Sequence, residues 1–318
     1  FFGTDTPGAV DGPVDEPPAD QRVCFRDGLP LDERLSRIDE ELIPAFAFSL
    51  ETASAQVRER RIRELNGRLR NEVFRYFPKE AAPLQPVWNE PSALQGRIIK
   101  NVSFRSFEDL SVRGVYSLPA NPAEGAKLPG VLVVDHRKGI PVWGNEQPLE
   151  RYRWGDRAVL VIETLDRSSR ALEQNLRSFS DDDPLHHLRR QAMVAGTTLE
   201  SMQVYEVLRS LEFIRSQPEV DPGRITVTGR SEAGVNGLYA ALLDGKVERV
   251  VLGSPPASHR QGPHYLGILR YTDIPEVIAL LGNKVRLYGE IPPVLLPFFA
   301  KVGLEESALG ASLADCLR

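Results

Sequence analysis

Two periodicities divide the chain. From Thr52 to Phe77, positions Val57, Arg61, Leu65, Leu69, Val73 and Phe77 recur every four residues, with Arg and Glu between them. That spacing predicts an amphipathic helix ending before Pro78. Further on, the period falls to two. Ile98 to Phe107 and Leu110 to Leu118 alternate like an antiparallel strand pair, with a turn near Glu108-Asp109. Short runs follow at Gly130 to Val134, which is wholly apolar, and at Ala158 to Ile162, Ile225 to Thr228, Arg249 to Leu252 and Val285 to Tyr288, which are mostly apolar or β-branched. These are expected of strands covered on both faces. Between them, Thr198 to Ser216 places Leu199, Met202, Tyr205, Leu208, Leu211 and Ile214 on one helical face, and Val235 to Leu243 is rich in Ala and Leu. The alternation predicts an α/β fold: a doubly wound, mostly parallel sheet flanked by helices, with an N-terminal helical extension.

The boundaries follow from composition. Residues 1–50 form a tail or linker rich in Pro, Gly and Asp, with a short helix in Leu31 to Leu50 interrupted at Pro44. Residues 51–96 carry the helical extension, and Pro83 to Pro91 is read as a connector. Residues 97–318 form the sheet domain. Ser178 to His187 is polar and acidic and is read as an excursion over the sheet edge.

The net charge of −5 at pH 7 argues against a nucleic-acid binder. The arginines of the first helix are read as a solvated face. No apolar run approaches the roughly 20 residues that cross a bilayer. Cys24 and Cys316 stand near opposite ends and are read as free thiols rather than a disulfide. His186-His187 beside Asp181-Asp182-Asp183 imitates a metal site, but adjacent histidines lack the helical i, i+4 spacing of ligands, so no metal is expected there.

The stretch with chemical content is Asp221-Pro-Gly-Arg-Ile-Thr-Val-Thr-Gly-Arg-Ser231-Glu-Ala-Gly234. A strand runs into a sharp turn, and a helix follows. Ser231 stands between Gly229 and Ala233, small residues two before and two after. A hydroxyl on such a turn is lifted clear of the sheet, and the new helix points its N-terminus at the site, where it favours an oxyanion. The plainer reading is a serine that caps a helix.

This constellation resembles the nucleophile elbow of α/β-hydrolases, with Ala233 in place of the usual second glycine. From about Val57 to Ala300 the order of parts is similar to the acetyl-xylan-esterase and dienelactone-hydrolase-like branch of that superfamily. The matching pieces are the arginine-rich helix, Leu128-Pro-Gly-Val-Leu-Val-Val-Asp-His-Arg-Lys-Gly139, the long helix into the elbow, and Leu269-Arg-Tyr-Thr-Asp-Ile-Pro-Glu-Val-Ile-Ala-Leu-Leu281. The resemblance implies a serine carboxylic-ester hydrolase acting on small-molecule or saccharide esters, without metal or organic cofactor. Many members are exported. Such sequences often form one half of a tandem protein, and the linker-like start without methionine suits that origin.

Carried over, the resemblance makes Ser231 the nucleophile and the Glu232 amide one oxyanion donor. The loop after Val134 supplies the second donor, at His136 or Arg137. Glu290 follows the strand where the family places its acid. Asp273 is the other candidate, although ahead of Pro275-Glu276 it reads better as a helix N-cap. The base is harder to place. The chain has five histidines, and none follows His264. After Glu290 no further strand ending in a Gly-His loop is read. Three explanations stand: a missing C-terminus, a substitute from His259 or His264, or a domain that no longer hydrolyses and serves in binding or structure.

Overall fold

Leu65, Leu69 and Val73 are fully or almost fully buried, as their four-residue spacing requires. They belong to a computed structural model that describes residues 16–42, 54–122, 125, 127–135, 154–165, 184–296, 309–310 and 312–317. The chain divides into two units, 1–45 and 46–318.

The first unit holds 3-10 turns at Ala19–Gln21 and Leu35–Arg37 and one short helix, α1 (Ile38–Leu42). Arg34 grips Glu41 with two bonds of 2.6 and 2.7 Å, which closes the turn onto the helix.

The second unit begins with α2 (Ala55–Arg68), continued by a π-helical turn at Leu69–Val73. Ser54 caps it by accepting from the Val57 amide. Its arginines are not all solvated. Arg61 donates to both carboxylate oxygens of buried Glu276, at 2.8 and 3.1 Å, and to the Tyr271 carbonyl at 2.7 Å. A charge that the sequence assigns to solvent thus neutralises an internal carboxylate.

Strands β1 (Val87–Trp88) and β2 (Ser92–Leu94) lie in 51–96 and pair antiparallel with β3 (Arg97–Arg105). The run read as a connector therefore contains β1, too short to show a period. The others are β4 (Ser111–Pro119), β5 (Leu128–Asp135), β6 (Ala158–Glu163), β7 (Val220–Arg230), β8 (Arg249–Gly253), β9 (Val285–Tyr288) and β10 (Leu309–Gly310). Their order is β1-β3-β4-β6-β5-β7-β8-β9-β10, with β2 beside β3. From β6 to β10 every pair is parallel. β10 lies beyond Glu290 and leads to no histidine; its two residues carry no pattern to find.

The remaining helices are α3 (Pro184–Val194), α4 (Leu199–Arg215), α5 (Ser231–Asp244), α6 (Ile274–Leu281) and α7 (Leu313–Leu317). Helix α3 corrects the loop reading of the segment around His186-His187. Pro184 opens it, with the torsion that a first helical turn needs. Arg189 then ties it to buried Glu200 of α4 at 2.6 Å.

Alternation along β5 and β6 sorts the core into two faces. Leu132, Val134, Leu160 and Ile162 join the large cluster with α2, α4, α5 and α6. Val131, Val133, Val159 and Val161 join a smaller one with Trp154 and α7. Cys24 is an exposed free thiol and Cys316 a buried one. Among the described residues no helix is long and apolar enough to cross a membrane.

Candidate active site

The carboxyl ends of parallel strands share one edge, where open α/β sheets keep their ligand sites. Here that edge is formed by Asp135, Glu163, Arg230, Gly253 and Tyr288. β7 lies between β5 and β8, with Gly229 opposite Val134 on one side and Leu252 on the other. The strand ends at Arg230, and α5 begins at Ser231 with no connecting residue.

So abrupt a reversal strains the backbone. Ser231 has φ +51°, a left-handed conformation that costs a non-glycine residue on the order of 1–3 kcal/mol. Its side chain is exposed and, among the described residues, makes no hydrogen bond. The strand can meet the helix because Gly229 faces Gly234. A Cβ on Gly229 would lie 2.8 Å from the Gly234 nitrogen; one on Gly234 would lie 2.7 Å from the Gly229 oxygen. The second small position is therefore filled by Gly234, three residues after the serine, which explains how Ala233 is accommodated at 2% exposure. As first-turn residues of α5, Glu232 and Ala233 have amides without an intrahelical acceptor.

Around the serine, the edge is knitted from β8 and β9. Ser254 also has a positive φ, +45°, and its hydroxyl accepts from the Glu290 amide at 3.1 Å. Gly289 lets the two turns touch, since a Cβ there would stand 2.6 Å from Ser254 Oγ. Arg230 lies over the Tyr288 ring, with its guanidinium 5.6 Å from the ring centroid. Glu290 is thus held by its backbone one turn beyond β9, with an exposed side chain. Ser254 was not singled out from sequence. The serine before Pro255-Pro256 was the available signal, but it does not reveal a left-handed turn.

Asp273 is spent on structure. Its carboxylate caps α6 through the Ile274 amide at 2.7 Å, takes the His259 amide at 2.9 Å and accepts from the Ser258 hydroxyl at 2.6 Å. It anchors the loop that carries both late histidines. That loop passes close to the elbow. A Cβ on Gly262 would stand 2.5 Å from the Glu232 carboxylate, and Gly262 has φ +111°.

His259 is buried at 3% exposure with both ring nitrogens engaged. Nδ1 lies 2.7 Å from the Pro263 carbonyl and Nε2 lies 2.7 Å from the Tyr239 hydroxyl. The carbonyl can only accept, so Nδ1 donates, and in the neutral ring Nε2 accepts from Tyr239. Neither nitrogen is left for Ser231. Burial, with His264 acting in the same direction, pulls the His259 pKa down to about 4, against the Pro263 carbonyl and the Asp273 charge. Below the unfolded-state value near 6.5 the unfolded chain binds a proton that the native ring refuses, so stability falls as pH drops from 6.5 towards 4. The loss is expected to be roughly 3 kcal/mol. Denaturant titrations of wild type and His259→Gln across that range check it. The His259 contribution is absent from the variant, whose curve should be the flatter one.

His264 is exposed and lies two residues beyond Gly262, so about 7 Å of chain at most separates it from the residue seated on Glu232. His136 and Arg137 lie outside the described residues, as do the side chains of His186 and His187. Among the described residues no group of three or more His, Cys, Asp or Glu side chains is placed to hold a metal ion.

A buried polar chain joins this loop to the sheet. Tyr265 donates to Asn236 of α5 at 2.5 Å, Asn236 to Gln203 of α4 at 2.9 Å, and Gln203 to the Leu165 carbonyl beyond β6 at 2.8 Å. Polar positions of α4 that the sequence places away from the core are thus internal and paired.

The sheet order, the elbow after β7 and the helices on both faces define the α/β-hydrolase fold. Solved structures with this fold match most of the chain. One is a protein from Bacteroides fragilis provisionally named an acetyl xylan esterase, at 14% identity and TM-score 0.62, covering 89% of this chain and 82% of that one. A glucuronoyl esterase from Solibacter usitatus matches at 15% identity and TM-score 0.54, covering 81% and 85%. A methylesterase matches at 14% identity and TM-score 0.57, covering 81% and 59%. No protein-family model and no curated protein matches the sequence.

Proposed function

We propose that the protein is a serine carboxylic-ester hydrolase, of the acetyl-xylan-esterase-like kind, working through an acyl-enzyme on Ser231. The observation that carries this reading is the elbow itself. An exposed serine hydroxyl stands on a left-handed backbone at the carboxyl edge of the sheet, against the N-terminus of a 14-residue helix. The names of the three structural neighbours described above, each an esterase, agree with it.

In the proposed reaction Ser231 Oγ attacks the ester carbonyl while His264 takes its proton. The oxyanion rests against the Glu232 amide and a second donor from the loop at His136 or Arg137. The proton passes to the departing alcohol, and water then cleaves the acyl-enzyme by the same route. Glu290 orients the imidazole, and Asp273 holds the loop that delivers it. His264 is favoured over His259 because the latter has no free nitrogen.

A second reading, a hydrolase-fold domain that binds without turnover, draws on the lack of a histidine hydrogen-bonded to Ser231 among the described residues. Turnover of p-nitrophenyl acetate separates the two. His264→Ala is expected to lower kcat by about 10²- to 10⁴-fold. An undiminished rate overturns the base assignment. Wild-type turnover no faster than that of Ser231→Ala favours the second reading.

A further inference from the structure

A cavity of about 360 Å³ opens at the same sheet edge, walled by Leu110, Leu165, Leu188, Ala192, Leu199 and Met202. Its size is at the small end of ligand pockets, about 300–1,000 Å³. The lining is mainly apolar, and its two charged side chains, Arg113 and Glu163, belong to residues directly opposite each other on β4 and β6. A net charge is therefore not on offer to a ligand. The remaining polar residues, Ser111 and Thr164, lie close to Arg113 and Glu163 in sequence, so sugar hydroxyls placed against the six apolar residues would lose water without gaining partners.

The walls are fixed from behind. Leu165 is held at its carbonyl by Gln203 and at its amide by the Glu206 carboxylate. Helix α3, which contributes Leu188 and Ala192, is pinned to α4 by the Arg189–Glu200 pair. Leu199 and Met202 belong to the first turn of α4, whose cap Thr198 accepts from the Ser201 amide at 3.1 Å. This is a built pocket rather than a gap between loose side chains. β6 stands two strands from β7, so the cavity lies about 10 Å along the edge from the elbow.

We propose that this cavity receives the apolar part of the substrate, a neutral alkyl or aryl group of medium length. In that case the ester is a lipophilic one rather than an acetylated sugar. The assignment to a substrate rests on the hydrolase reading; the cavity's preference for apolar ligands does not. The test is accordingly a binding measurement, calorimetric titration with octanamide and with acetamide, which needs no turnover. Wild type is expected to bind octanamide on the order of 10³-fold more tightly than acetamide, from the six added methylenes. Ala192→Trp, which fills the cavity from a partly exposed helical position, is expected to weaken octanamide at least tenfold. Met202→Trp enters from α4 instead of α3 and replaces it if the first variant does not fold. Equal affinities for the two amides, or octanamide binding untouched by either tryptophan, overturns the proposal. An inert Ser231 with the binding preference intact would contradict the hydrolase reading and leave the pocket standing.

Discussion

Ser231→Ala is expected to lower kcat/KM for p-nitrophenyl acetate by at least about 10⁴-fold, the loss seen when an acyl-transfer nucleophile is removed and only binding and oxyanion stabilisation remain. Alanine keeps the strained turn and deletes only the hydroxyl, so the folded structure should be retained. Ser231→Gly makes the same chemical deletion and also relieves the backbone, since φ +51° costs glycine nothing. It should therefore be as inactive as the alanine variant yet more stable, by about 1 kcal/mol. A serine that merely caps a helix would give another pattern: little change in ester turnover for either variant. Paired assays of turnover and chemical denaturation on the two proteins distinguish these outcomes.

Gly229→Val is expected to cost about 4 kcal/mol or more, or to yield no soluble protein. The clash is with backbone, because the Gly234 nitrogen and Cα lie 2.8 and 2.9 Å from the position of an added Cβ. No side chain can rotate away to relieve it. The strand and helix would have to part at the centre of the sheet, where β7 touches both β5 and β8. Gly223→Val, at an exposed position near the start of β7, serves as the control. There a Cβ meets only the Asp221 side chain, at 3.4 Å, so the cost should be far smaller. Urea denaturation of the two variants beside wild type reads the difference.

The sheet was legible where burial imposes a pattern on sequence. β9 was read at its observed limits and β3, β4, β5, β6 and β8 nearly so, because strands covered on both faces must be mostly apolar and an antiparallel pair must alternate. The long helix α4 was legible for the same reason. What escaped the pattern was short or depended on distant partners. β1 and β10 have two residues each, too few to express a period. Helix α3 looked like a polar loop because the partner that stabilises Arg189 is Glu200, in the next helix. Arg61 looked solvated because Glu276 lies more than two hundred residues away.

The candidate site divides along the same line. Ser231 and its elbow are local, so the motif declared them. The role of Gly234 needed the crossing itself. His259 and His264 were indistinguishable in sequence, two histidines of one loop. Only the fold sets them apart, by closing Tyr239 and Pro263 onto the first and leaving the second exposed. The spent carboxylate of Asp273 is likewise a tertiary fact, although its capping of α6 was readable from Pro275 and Glu276.

The central claim, that Ser231 is an activated nucleophile, is tested most directly by labelling the purified protein with a fluorophosphonate at neutral pH and mapping the adduct by mass spectrometry. The account predicts a single adduct on Ser231, lost in Ser231→Ala and much slowed in His264→Ala. No adduct, or one at the same rate on several serines, would contradict it and leave the elbow as architecture alone.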